Sequence, residues 1–315
     1  MLILYLGKFH KEHNTERYVE YALRQHGVEV IRRPFTESMT YSSLVRKVET
    51  ARPDVVLFSK PSVPCFKDFL EYCRAAGILT VCWQWDLFWG YRPQRLPQFK
   101  ADLLFTTDGG HEDRWKQIGA NHQVLRQGIH KPDHQWFDSN YAHDVAFVGN
   151  STAYRERRRL VQWLRNTYRG RFIHHTQTRG LDLNRALARV KVVVGDSFPS
   201  PYYWSNRVYE ILGRGGFLLM PAIKGLDSEF EDGVHYVSYP RRDFAALKRS
   251  ISHWINNDEG RERIRRSGFD RCGKEYTYEH RVSVLLEKIR LALDSLPPEL
   301  EPRPLSQAPA SLAPG

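Results

Sequence analysis

Residues 191–239 constrain the fold more than any other stretch of this 315-residue chain. An apolar run at 192–194 leads into a polar and aromatic loop, which is followed by a helical segment at 205–212. Glycines then precede a second apolar run at 217–220. This order of strand, loop, helix and strand predicts a βαβ unit and hence a parallel sheet. Ligands bind beyond the carboxyl ends of the strands in such sheets, so we expect a site at this loop.

The same alternation of apolar runs and helical segments occurs on both sides of a polar segment near the middle of the chain. It predicts an α/β protein with two Rossmann-like, doubly wound parallel-sheet domains that face a cleft. We place the first domain at 1–130, a linker at 131–143 and the second domain at 144–295. Residues 296–315 are rich in proline, alanine and serine without periodicity, so we predict a disordered tail there.

The overall charge predicts an anionic partner. The chain has 47 lysines and arginines against 36 acidic residues, a formal net charge of +11. Such a charge favours a nucleotide, a nucleic acid or an acidic lipid, and does not choose among them. The densest basic run lies between residues 155 and 171, and a helix would spread its arginines over several faces. Near its amino end, Arg155 and Arg158 are candidates for contacting a diphosphate.

The remaining composition predicts a cytoplasmic protein that is soluble or at most bound to a membrane surface. Four cysteines form no C-x-x-C pair and show no metal spacing, which is typical of reduced thiols. The first residues lack the basic front of a signal peptide, and no apolar run approaches the roughly 20 residues that span a bilayer. We therefore predict no metal site and no transmembrane segment.

Three donor-binding candidates lie at the start of the helical segment. A carboxylate at Glu210 is able to accept hydrogen bonds from the two vicinal hydroxyls of a ribose, or it simply complements the helix dipole. Arg207 is one turn earlier and either contacts a phosphate or pairs with Glu210, and Asn206 directly precedes it. Elsewhere, Gly149 and Asn150 form a turn between a strand and a helix. Glycine there lets a backbone approach a phosphate, although ordinary turn chemistry explains the pair equally well.

Three catalytic candidates follow strands of the first domain. His10, Asp86 and Asp108 each come just after an apolar run, so we expect them at the cleft edge of the sheet. An isolated aspartate at a strand end is more often a turn residue than a catalyst. Three polar residues at one edge raise the expectation that the cleft carries chemistry.

Residues 207–216, RVYEILGRGG, resemble the R-x-[FY]-E-x-L-x-x-G-G segment of spore-maturation-type glycosyltransferases, within the group-1 enzymes. The turn at 144–150, DVAFVGN, is similar to the D-V-x-F-V-G turn of that family, and 105–108 and 276–281 also fit. The resemblance extends over most of residues 101–293 and is weaker before them.

The resemblance implies a GT-B fold and an enzyme of the hexosyltransferase kind, which transfers a sugar from a nucleotide-sugar co-substrate. It also implies that the anomeric configuration of the sugar is retained and that no metal or other cofactor is needed. By that resemblance Glu210 binds the donor ribose, and the Gly149 turn with Arg155 or Arg158 binds the diphosphate. Many relatives have the pattern Glu-x7-Glu, with the first glutamate near the sugar, whereas this chain has Tyr202 at that position, eight residues before Glu210. The departure puts the donor sugar and part of the catalytic geometry in doubt.

The acceptor and one alternative function stay open at this point. A modified base in DNA is one acceptor that suits the net charge, and another anionic polymer or a lipid suits it as well. The alternative is a non-catalytic protein that binds nucleotides or nucleic acid on a degenerate GT-B scaffold, for which Tyr202 is the main argument.

Overall fold

The computed structural model describes residues 1–36, 38–59, 63, 65–87 and 100–295 of the chain. Within them, the first sheet contains six parallel strands in the order β2-β1-β3-β4-β5-β6. Apart from Leu2 at the start of β1, the interior strands are buried along their whole length, as expected for a parallel sheet covered on both faces. The strands are β1 Leu2–Gly7, β2 Glu29–Pro34, β3 Val55–Phe58, β4 Leu79–Gln84, β5 Leu103–Thr106 and β6 His122–Val124.

Helices connect these strands and cover both faces of the sheet. Their ends follow local chemistry: the Thr40 hydroxyl accepts a hydrogen bond from the Ser43 amide at 3.3 Å, and Gly27 and Gly77 adopt positive φ just after two helices. Two apolar clusters, one on each face, complete the layers. The helices are α1 Thr15–Gln25, α2 Tyr41–Ala51, α3 Phe66–Ala75 and α4 Glu112–Gln117.

The second sheet has, within the described residues, five parallel strands in the order β11-β10-β9-β7-β8. Its strands are β7 His143–Val148, β8 Phe172–His175, β9 Val190–Val194, β10 Leu218–Pro221 and β11 Val237–Tyr239. The helices that follow β7 are α5 Arg155–Tyr168, α6 Gly180–Ala188, α7 Arg207–Leu212, α8 Phe244–Asn256, α9 Asp258–Glu275 and α10 Tyr278–Asp294. The βαβ unit predicted at 191–239 is therefore β9, α7 and β10.

The last helix returns to the first sheet. The buried face of α10 packs with residues of α1 and β4 in one apolar cluster, to which it contributes Tyr278, Val282, Leu285 and Leu286. Continuity along the sequence places α10 with the second domain, at 144–295, but its core contacts lie in the first. An amphipathic pattern shows that a helix has an apolar face and does not show which sheet that face covers. The predicted tail, 296–315, lies outside the described residues.

The carboxyl ends of the two sheets face each other. The loop after β5 contacts the loop after β9, where the Gly109 amide donates to the Tyr202 carbonyl at 3.3 Å. A β-carbon built on Gly180, at the start of α6, would lie 2.8 Å from the His13 ring in the loop before α1. The cleft between the sheets is therefore lined by the loops that the sequence marks as functional. Among the described helices, none has the length and apolar content needed to cross a bilayer.

Candidate functional site

The loop after β9 is fixed against the first sheet. Arg126, just after β6, donates from Nη2 to the Tyr202 carbonyl at 2.9 Å, and its guanidinium lies 3.7 Å from the centroid of the Trp204 ring. Tyr202 has φ of 54°, a conformation that a bulky residue adopts only where its surroundings impose it. The residue is 41% exposed. The residue that departs from the family pattern thus holds a strained position at the edge of the cleft.

Gly149 and Arg207 form the base of the site in the second sheet. Arg207 donates to the carbonyls of Val148 at 2.5 Å and Asp196 at 2.7 Å. Gly149 has φ of 109°, and a β-carbon there would lie 2.6 Å from Arg207 Nη2. Glycine at this turn therefore lets the backbone lie directly against the guanidinium.

Arg207 donates no hydrogen bond to a carboxylate of the described residues. Its hydrogen bonds within the described part of the chain go to two carbonyls and to the Ser205 hydroxyl, and it forms no ion pair there. Burial, followed by the nearby positive charge of Arg157, lowers the pKa of Arg207 to about 10, so the group is still protonated at pH 7. A half-buried cation whose hydrogen bonds go only to dipoles attracts an anion at the Gly149 turn.

Glu210 lies one turn after Arg207, with a side chain 19% exposed. One carboxylate oxygen accepts from Arg214 Nε at 2.9 Å, and the other accepts from Asn206 Nδ2 at 3.3 Å. Burial, and then the charge of Glu210, raise the pKa of Tyr18 in α1, which places the carboxylate near the first sheet. Each oxygen retains a lone pair, so the carboxylate is able to accept two further hydrogen bonds.

Asp108 is paired with His111, a residue that the sequence analysis does not select. Both Asp108 oxygens lie 2.9 Å from His111 Nδ1, and Asp108 Oδ1 also accepts from the Gly110 amide at 3.1 Å. The carboxylate is buried, whereas the imidazole is 31% exposed. A carboxylate that orients an imidazole is an arrangement suited to proton transfer. The spacing D-x-x-H was visible in the sequence and is too common to single out.

The other two first-domain candidates are at the surface. His10 is exposed in the loop after β1. Asp86 is exposed after β4 and lies near the second sheet, since burial and then the charge of Asp86 raise the pKa of Tyr203 to about 12. Their catalytic roles stay predictions.

The residues around the start of α5 make contacts other than those expected for a diphosphate site. Asn150 Oδ1 accepts from the amide and the hydroxyl of Thr152, both at 2.7 Å, and so caps a local turn. Arg157, rather than Arg155 or Arg158, forms an ion pair within the described residues. Its Nε donates to Asp196 at 2.6 Å, and this contact connects α5 to the loop after β9. Arg155 and Arg158 are exposed, and their contact with a diphosphate stays a prediction.

The exposed arginines of α5 form a stripe rather than a scatter. At 3.6 residues per turn, positions 155, 158, 159 and 165 fall within about 120° of the helix circumference. All four side chains are exposed, and the opposite face packs Leu160, Val161 and Leu164 onto the sheet. We call this set, Arg155, Arg158, Arg159 and Arg165, the α5 arginine stripe.

Comparisons with known proteins agree with this arrangement. A family model described as glycosyl transferase-like matches residues 111–287, which is more than half of the chain. No curated protein matches the chain by sequence. The family match includes β7 to β11, the Gly149 turn and the segment that carries Arg207 and Glu210.

Solved structures share the architecture at low sequence identity. Anabaena HepE in complex with UDP-glucose is 14% identical, with a TM-score of 0.63 and coverage of 94% of this chain and 100% of HepE. Sucrose-phosphate synthase from Thermosynechococcus elongatus is 10% identical, with a TM-score of 0.64 and coverage of 93% and 100%. A glycosyltransferase from Rickettsia africae is 8% identical, with a TM-score of 0.65 and coverage of 93% and 99%. At these identities the likeness concerns the fold.

Proposed function

Because the chain belongs to the glycosyl transferase-like family, we propose that it transfers a sugar, of the hexose class, from a nucleotide-sugar donor to an anionic acceptor. Its two parallel sheets confirm the GT-B fold predicted from the sequence. One observation carries the proposal: the guanidinium of Arg207, which donates to no carboxylate of the described residues, lies behind a glycine turn one helical turn from a carboxylate with free lone pairs. The first suits a diphosphate and the second suits a ribose.

The proposed donor is a uridine diphosphate sugar, since HepE binds UDP-glucose and has the same fold. In this proposal Glu210 accepts from the ribose hydroxyls, and Gly149 and Asn206 line the donor site with Arg207. Arg207 supplies fixed positive charge for the leaving diphosphate, so the reaction is proposed to need no metal. Retention of the anomeric configuration stays a prediction from the family resemblance. The NMR coupling of the anomeric proton in the product tests it.

A non-catalytic scaffold has no support in this arrangement. Arg207 and Glu210 lie on the second-sheet side of the cleft, and the Asp108–His111 pair lies on the first-sheet side. The free cysteines fit a reducing compartment, so a cytoplasmic location is part of the proposal.

Replacing Glu210 with glutamine tests the donor assignment. The amide keeps one acceptor oxygen and loses the charge, so we expect the Kd for UDP to rise roughly 10- to 100-fold. Isothermal titration calorimetry measures it, with Glu259→Gln, an exposed glutamate in the first turn of α9, as the control. Unchanged UDP affinity in Glu210→Gln would remove the ribose role from Glu210.

The α5 arginine stripe is the proposed contact for the anionic acceptor. Its exposed neighbours are amides, with Gln162 donating to Asn166 at 2.9 Å, while Trp163 is half-buried against Phe244. An arginine and amide face without exposed apolar side chains suits a phosphodiester backbone better than the interior of a lipid surface. We therefore propose nucleic acid, including modified-base DNA, as the first acceptor to test.

Reversing two charges of the stripe should weaken DNA binding and its salt dependence together. For Arg158→Glu/Arg165→Glu we expect the slope of log affinity against log salt to fall by about 2, since two phosphate contacts are lost. Fluorescence anisotropy with a labelled duplex measures the slope. Lys248→Glu/Arg249→Glu makes the same charge change at exposed positions of α8. Equal losses in both variants would mean that only net charge matters, and binding to anionic vesicles instead of DNA would assign the stripe to a lipid.

A further inference from the structure

Arg214 is a fully buried arginine with a complete set of partners. Its side chain is 1% exposed and lies two residues after the end of α7. Nε donates to Glu210 at 2.9 Å, and Nη2 donates to Asp133 at 2.6 Å. Nη1 donates to Asn184 Oδ1 at 2.7 Å and to the Gly180 carbonyl at 2.9 Å. One side chain therefore connects the linker at 131–143, α6 and α7.

The contact with Glu210 is not required to neutralise Arg214. Asp133, with a side chain 9% exposed, already forms a buried one-to-one ion pair with it. Glu210 adds a second carboxylate, so the cluster carries one excess negative charge. Of the two acids, Glu210 is the more exposed at 19%, which places the excess charge toward the cleft.

Asn206, Glu210 and Arg214 are spaced by four residues and form a ladder. Asn206 Nδ2 holds one carboxylate oxygen at 3.3 Å, and Arg214 Nε holds the other at 2.9 Å. Because both oxygens are fixed, their remaining lone pairs have a fixed direction. Asn206 Oδ1 is buried without a hydrogen-bond partner among the described residues and offers a further acceptor at the same place. Three acceptors beside one another suit a ligand that presents adjacent hydroxyl groups.

We propose that Arg214 is a positioning residue for ribose recognition: it holds the Glu210 carboxylate in the orientation that accepts hydrogen bonds from both hydroxyls of the donor ribose. The inference rests on the proposed function of Glu210. Position 214 is left open in the R-x-[FY]-E-x-L-x-x-G-G motif, so the assignment comes from the contacts of this chain.

A positioning role of Arg214 is distinguished from a purely stabilising one by comparing two affinities. They are the affinity for UDP and the affinity for 2′,3′-dideoxyuridine diphosphate, which lacks both ribose hydroxyls. Arg214→Lys keeps a buried positive charge for Asp133 but lacks the Nε donor that reaches Glu210. Arg214→Met/Asp133→Asn removes the ion pair as a unit and leaves no stranded carboxylate at 133. In both variants we expect UDP affinity to fall roughly 10- to 100-fold, with the affinity of the dideoxy analogue unchanged.

Arg261→Met is the matched control. Arg261 is also a fully buried arginine, and it donates to the Trp254 carbonyl and to Asp258, both at 2.7 Å. Its loss should lower the Tm and leave the ratio of the two affinities at the wild-type value. A lowered ratio in Arg261→Met would show that discrimination follows stability and would overturn the inference.

The remaining outcomes separate the inference from the function on which it rests. If Glu210→Gln loses discrimination while both folded Arg214 variants keep it, Arg214 has no positioning role and the donor assignment stands. If the wild-type protein does not prefer UDP over the dideoxy analogue, or if Glu210→Gln keeps that preference, the ribose role of Glu210 fails and the inference fails with it.

Discussion

Replacing His111 with phenylalanine is expected to lower kcat by roughly 100- to 10,000-fold, the usual contribution of a positioned proton-transfer group. The acceptor hydroxyl must lose its proton when the new glycosidic bond forms. With Nδ1 donating to the buried Asp108, the His111 Nε2 is the nitrogen that is able to accept a proton. Nε2 forms no hydrogen bond within the described part of the chain, and the imidazole is 31% exposed. The UDP affinity should not change, because the donor contacts lie on the second sheet.

Three further variants make this result specific. Asp108→Asn should cause a comparable loss, since an amide that donates to Nδ1 would leave Nε2 carrying the proton. His253→Phe, at an exposed position on α8, should leave the release of UDP from UDP-glucose unchanged. His10→Gln tests the other histidine expected at this edge. A larger loss for His10→Gln than for His111→Phe would move the proton-transfer role to the loop after β1.

The fold follows from the sequence because its determinants are local. Interior strands such as β3, β5 and β10 are short apolar runs, and helix ends carry caps such as Thr40 or positive-φ glycines such as Gly27. Alternating strands and helices leave few topologies besides a parallel sheet. The placement of α10 required the structure, because its apolar face contacts strands distant in sequence.

The site follows from the sequence only where its residues are consecutive. Arg207 and Glu210 lie on one short helix and Asn206 directly precedes it, so one short segment of the sequence contains all three. Arg214 meets Asp133 across 81 positions, and Arg157 meets Asp196 across 39. No local pattern encodes such pairs. The sequence therefore marks which arginines are present, and packing decides which of them is paired, buried or exposed.

Tyr202 is another residue whose contacts could not be predicted from the sequence. The sequence shows only that tyrosine stands where many relatives carry a glutamate. The structure adds its φ of 54° and two hydrogen bonds to its carbonyl, from Gly109 and Arg126 of the first sheet. Its backbone carbonyl thus connects the two sides of the cleft through contacts that do not involve its side chain.

Replacing Arg207 with methionine is expected to lower kcat roughly 100- to 1,000-fold and to weaken UDP binding, as removal of a preorganised charge-stabilising donor does. Charge on the diphosphate increases as the bond to the sugar breaks. Arg207 is a fixed cation beside the Gly149 turn, and no carboxylate within the described residues accepts a hydrogen bond from it. Uridine lacks the diphosphate, so its affinity should be unchanged, and calorimetry with uridine and UDP separates the two contributions.

Arg155→Met is the matched comparison, because Arg155 is exposed and begins the helix that follows the same turn. If the diphosphate lies against Arg207, Arg155→Met has the smaller effect on UDP affinity. If the order is reversed, the start of α5 binds the diphosphate, as the sequence alone suggests. Gly149→Ala provides an independent approach, since its β-carbon would lie 2.6 Å from Arg207 Nη2 at a φ of 109°.

Turnover of the wild-type enzyme should persist in EDTA, since Arg207 supplies the charge that a metal would otherwise provide. Loss of turnover in EDTA with recovery on adding Mg²⁺ would assign that part of the charge stabilisation to a metal ion.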